Sequence, residues 1–123
     1  MARPATIANV HRDWFDDLPE RLSDAADKYN LPETDDWNVL AELSSQTIFE
    51  GMEVYGDDAV FENNEFVAPA TVYVKLVYDP NSNDPVEIND SYPARVFFSI
   101  KGKKDDKQVE IHRVEVDTSS FFR

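Results

Sequence analysis

The sequence predicts an α+β domain, with two or three N-terminal helices packed on one face of a four- to five-stranded, mostly antiparallel sheet. Apolar residues recur every three or four positions over roughly the first thirty residues, the period of a helix with one buried stripe. Beyond residue 45 they alternate, the period of a half-buried strand. The two patterns are segregated along the chain rather than interleaved, which favours α+β over a parallel doubly wound fold.

Val10, Trp14, Leu18, Leu22, Ala25 or Ala26 and Tyr29 form the helical stripe, and Pro19 interrupts it. Proline is accepted in a first turn and breaks a helix interior, so the stripe predicts helices over about 6–16 and 19–29, or one kinked helix. Asn30 and Pro32 mark the stop. A third helix is expected over about 36–44, capped by the side chain of Thr34 or Asp35 and burying Trp37, Leu40 and Ala41.

Strands are expected over 47–55, with a bulge at Gly51, and over 59–62 and 65–68 around an Asn63-Asn64 turn. Residues 71–78 form the clearest strand, with Val72, Val74, Leu76 and Tyr78 on one face. Residues 79–85 are dense in turn formers. Strands at 95–101 and 109–116 flank a charged hairpin loop. In the last strand the apolar set runs Val109, Ile111, then Val114, Val116, a parity switch that requires a bulge near His112-Arg113. Residues 1–123 are read as one domain, helical over about 6–45 and sheet over about 46–118. Phe121 and Phe122 in the tail are expected to pack back onto it.

Composition bounds the function. Apolar residues are 41% and aromatics 12% of 123 residues, enough to build a core. There is no cysteine, which removes disulfides and thiolate metal sites. No apolar run approaches the roughly 20 residues that span a bilayer, and no secretory signal is read, so the expected place is the cytoplasm.

Twenty-five acidic residues face twelve basic ones, for a net charge of −13. Such a field repels nucleic acid and anionic membranes and attracts basic surfaces. Asp13, Asp17, Glu20, Asp24 and Asp27, spaced 4, 3, 4 and 3, fall on one helical face with Asp16 beside them. At 1.5 Å rise per residue their charges lie about 5 Å apart along the axis. Glu50, Glu53, Asp57, Asp58, Glu62 and Glu65 form a second acidic group. An ordinary solvated face opposite the apolar stripe is the simpler explanation of the helical acids, and a docking surface for a basic partner is the functional one.

Catalytic motifs are absent: there is no G-x-S-x-G elbow, HExxH, P-loop or GxGxxG, and only three glycines. Neither His11 nor His112 has a partner set by sequence. Residues 79–83 open like a calcium loop, with Asp90 at the twelfth place. Asp84 stands where glycine is needed, however, and proline stiffens the loop. No metal, cofactor or catalytic residue is therefore expected.

The leading expectation is a small non-catalytic binding protein, not an enzyme. Its acidic surface of Asp13, Asp16, Asp17, Glu20, Asp24, Asp27, Glu53, Asp57, Asp58, Glu62 and Glu65 would dock on the basic surface of a nucleic-acid-binding protein or nuclease, as an inhibitor, immunity-type protein or nucleic-acid mimic. It would not bind nucleic acid or membrane directly. The alternative is a ligand-binding or enzymatic domain with a pocket between helices and sheet, lined by Trp14, Trp37, Phe49 and Tyr92 with His112 as polar element. An outward sheet face bearing Tyr73, Val77 and Phe97 would serve homodimerisation.

Overall fold

A computed structural model describes residues 5–6, 17–102 and 108–122. The fold is α+β, with helices against one face of a curled, antiparallel sheet. The described residues form strands β1 (Ala5–Thr6), β2 (Gln46–Val54), β3 (Val60–Glu62), β4 (Glu65–Tyr78), β5 (Val86–Lys101) and β6 (Gln108–Val116). Helix α1 spans Leu18–Lys28 and α2 spans Asn38–Ala41. The sheet order is β1-β3-β4-β5-β6, and β2 also pairs with β4 on the β3 side.

Helix α1 begins where Pro19 allows it, with the proline in the first turn and Asp17 at the cap position. It lays Leu18, Leu22 and Ala26 on the sheet. Burying each leucine contributes roughly 1.5–3 kcal/mol relative to exposure. Of the expected helix over 6–16, Thr6 belongs to strand β1, and residues 7–16 lie outside the described residues. The third expected helix is a 3-10 turn, Asp35–Trp37, followed by the four-residue α2. Neither expected cap forms: Thr34 donates its hydroxyl back to the Leu31 carbonyl at 2.8 Å. The Asp36 carboxylate instead accepts the Val114 N–H at 2.9 Å, which ties this segment to β6 and limits its helix.

The hairpin of β4 and β5 is the spine of the sheet. Even-numbered residues from Phe66 to Tyr78 face inward, opposite Tyr92, Ala94, Val96 and Phe98. Leu31, Leu40 and Leu43 cover the middle of this face, and α1 covers the end near β3 and β6. Tyr78 donates its hydroxyl to the Leu43 carbonyl at 3.0 Å, clamping the cover to the sheet.

Both expected bulges are present. β2 shifts register between Phe49 and Gly51, where Gly51 has φ of 154°. β5 and β6 shift between Phe97 and Phe98, so that Arg113 pairs with Phe97, Ile111 pairs with Phe98, and His112 is the extra residue. Asn63 and Asn64, both with positive φ, make the turn from β3 to β4. Two strands are longer than expected. β4 runs unbroken through Pro69, and β5 begins at Val86 rather than Arg95. The Pro69 carbonyl accepts the Tyr55 N–H and that of Pro93 accepts the Asp117 N–H, both at 2.9 Å. Each proline thus turns its missing donor to an edge where the neighbouring strand has just ended.

Phe121 packs against the core, whereas Phe122 is 72% exposed, so the tail packs back only in part. Among the described residues no helix is long and apolar enough to cross a membrane.

Candidate functional site

The sheet face turned away from the helices carries the densest polar arrangement. The bulge at His112 makes Arg95, Phe97, Arg113 and Glu115 share this face. The Asn63-Asn64 turn brings in Glu62 and Glu65, which are directly paired across β3 and β4.

Arg95 bridges Glu62 at 2.5 Å and Glu115 at 3.9 Å. Arg113 bridges Glu65 through Nη2 and Glu115 through Nε, both at 3.3 Å. The Arg113 guanidinium lies 3.9 Å from the Phe97 ring centroid, and that of Arg95 lies 5.1 Å away. Phe97 is only 6% exposed although it faces away from the core, because the two arginines roof it. Exposed ion pairs contribute about 0–1 kcal/mol each, and each guanidinium over the ring roughly 0.5–1 kcal/mol. The lattice is therefore held by several weak contacts and is open to solvent.

Two further groups sit on this face. Glu53 accepts the hydroxyls of Tyr55 at 3.0 Å and Tyr73 at 3.2 Å. Desolvation, then the Glu53 contact, raises the Tyr73 phenol above its ordinary value. Glu110 accepts from Lys101 at 2.8 Å, and that bond lowers its carboxyl below the usual range. His112, exposed at the bulge, is close enough for its charge to act on Glu110. Ser99, paired across from Glu110, has a buried hydroxyl without a hydrogen-bond partner.

The acids singled out in the sequence do not share one side. Asp17 is ion-paired with Arg21 at 2.6 Å. Glu20, Asp24 and Asp27 are exposed on α1, which covers the inner sheet face. Asp57 and Asp58 sit in the 3-10 turn after β2, whose Gly56 packs on α1: a Cβ there would stand 2.6 Å from Pro19 Cα. Glu53, Glu62 and Glu65 are on the opposite, outer face. Asp13 and Asp16 lie outside the described residues, as do His11 and Trp14.

Among the described residues no three carboxylate or imidazole groups converge to hold a metal ion. The turn at 79–84 and Asp90 do not form a cation loop: Asp90 lies on β5 and accepts from Ser91 N–H and the Tyr92 hydroxyl. The expected pocket between helices and sheet is occupied by core. Tyr92 is fully buried, and Trp37 packs edge-on against Phe49 with centroids 6.0 Å apart. The grooves present are shallow; one of 330 Å³, lined by Pro93, Arg95, Glu115 and Asp117, opens beside the arginine lattice.

Sequence reasoning missed Arg95, Arg113 and Glu115 as a site. The signal was available: once the bulge is placed at His112, all three carry the outward parity of Phe97.

Fold and site together define an α+β protein with one sheet face covered by helices and a charged arginine–glutamate lattice on the other. The chain belongs to the family of predicted pPIWI-associating nucleases, whose model matches residues 7–122. No curated protein matches the chain, and no solved structure does. The family overturns the expectation of a non-catalytic inhibitor, immunity-type protein or nucleic-acid mimic, and it stands against a chain without catalysis. The physical reason is one of range. A net charge of −13 sets the far field, whereas hydrolysis depends on a few groups placed by the fold, and carboxylates can do that work without a local motif.

Proposed function

We propose that this chain acts in nucleic-acid cleavage beside a pPIWI protein that holds the nucleic acid. The observation that carries the reading is the family match across residues 7–122. Electrostatics supports the division of labour. A chain of net charge −13 repels a phosphate backbone, so nucleic acid must be delivered by a partner or screened by cations.

The outer sheet face offers the right kinds of group. Arg95 and Arg113 can pair with phosphate oxygens. Glu62, Glu65 and Glu115, released from those arginines, can accept a proton. The lattice is weak enough for an incoming phosphate to displace it.

The test is cleavage of labelled single-stranded DNA, duplex DNA and RNA in magnesium or manganese, with the chain alone and with its pPIWI protein. Cleavage is expected with both proteins and little with the chain alone. Arg95→Ala with Arg113→Ala should lower the rate at least about tenfold, the effect of losing a charge-assisted contact. Glu20→Gln on α1 should leave it unchanged. Cleavage in no mixture would sink the reading, and full activity in the Glu62→Gln, Glu65→Gln, Glu115→Gln variant would move the chemistry off this face.

A further inference from the structure

We propose that the open edge of β5, over residues 87–91, is a docking site for an extended cationic segment of another protein, which adds to the sheet as one more strand. This inference does not rest on the nuclease reading. β6 pairs with β5 only from Ala94 to Lys101, while β5 begins at Val86. Residues 86–91 are all exposed, and among the described residues no strand lies beside them.

The direction of the free groups follows from the ladder. The Pro93 carbonyl accepts from Asp117 on the β6 side. Backbone groups alternate sides along a strand, so Ser91, Asn89 and Glu87 also point to that side, where none of the described strands meets them. Asp90 already accepts the Ser91 N–H at 2.8 Å, and its other oxygen is held by Tyr92 at 2.7 Å. What is left is the N–H and C=O of Asn89 and Glu87 and the Ser91 carbonyl. Beside them Val86 and Ile88 are 51% and 46% exposed. The edge thus pairs main-chain bonding groups with apolar side chains on one face and polar ones on the other, as strand addition requires.

Charge selects the occupant. Residues 76–94 contain Asp79, Asp84, Glu87 and Asp90 and no lysine or arginine, and Lys75 on β4 stands across from Asn89. A second copy would bring a strand with the same excess of acids, so long-range charge disfavours it. A segment alternating cationic and apolar residues matches both faces.

The probe is a labelled heptapeptide alternating lysine and valine, with two derivatives N-methylated on one or the other alternate set of amides. Charge is the same in all three. The parent should bind at low salt. One derivative should match it, and the other should lose about tenfold or more, as expected for about two missing hydrogen bonds. Amide exchange at Glu87 and Asn89 should slow on binding. Asn89→Pro removes an edge donor without touching the β4 ladder and should weaken the parent similarly. If that variant fails to fold, the two derivatives on the native chain decide alone. Equal binding of both derivatives, or no binding of the parent, would overturn the proposal. So would a concentration-dependent dimer in light scattering that Asn89→Pro abolishes.

Discussion

β5 is one strand with two different fates. From Ala94 to Phe98 it pairs with β4 on one edge and β6 on the other and has a helix over its inner face, and Val96, Phe97 and Phe98 are buried. From Val86 to Ser91 it pairs, among the described residues, only with β4, and every residue is exposed, the apolar ones included. Apolar residues stand at inward positions in both halves, Val86 and Ile88 in one and Val96 and Phe98 in the other, with Asp90 interrupting the series between them. Burial is therefore decided by what covers the strand, not by the strand's own pattern.

The largest expected effect comes from breaking the covered half. Phe98→Ala removes a ring that is 2% exposed and stacked on Phe66 at 5.6 Å, and should cost about 3–5 kcal/mol in chemical denaturation. Ile88→Ala, the matching inward position of the open half, should cost less than about 1 kcal/mol. Comparable losses at both sites would show that the open half is covered in solution.

Tyr92 joins the two halves and gives the next effect. Burial, then the hydrogen bond to Asp90 and its charge, raise its phenol above the ordinary value. In the unfolded chain the phenol ionises near about pH 10. The native state resists ionisation, so this contribution to stability is intact below that pH and is lost as pH rises toward the folded value. Tyr92→Phe should cost about 1–3 kcal/mol at neutral pH and remove that part of the alkaline fall in the melting temperature. An unchanged alkaline slope would show that another group controls it.

The smallest effect is on the acid side of the covered half. Glu110 is lowered chiefly by the bond from Lys101. Its contribution is present above the ordinary glutamate value and is lost as pH falls through the folded one. Lys101→Ala should move the Glu110 titration, followed by NMR, back up toward the ordinary range. The melting temperature should barely move, because the pair is exposed.

What was legible in the sequence were features that local chemistry decides. The parity switch from Ile111 to Val114 required a bulge, Gly51 marked another, and Asn63-Asn64 marked a turn with positive φ. The first half of β5 was not legible. Asn89, Asp90, Ser91 and Pro93 are poor strand formers, and only pairing with β4 holds them extended. The third helix shortened for a similar reason, since Asp36 is drawn to a backbone donor 78 positions away. The candidate site was hidden by counting. Arginines counted into a net charge say nothing of where they stand, and only register puts Arg95 and Arg113 over one ring.

Pro93 also explains why the hairpin tip is free at all. The segment after Val116 starts up the side of β5 with one bond, from Asp117 to the Pro93 carbonyl, and finds no donor to answer it. Zipping stops there, and the chain turns away into Ser119–Phe122. A single imino acid thus works as a ladder stop, and β6 goes no further along the sheet.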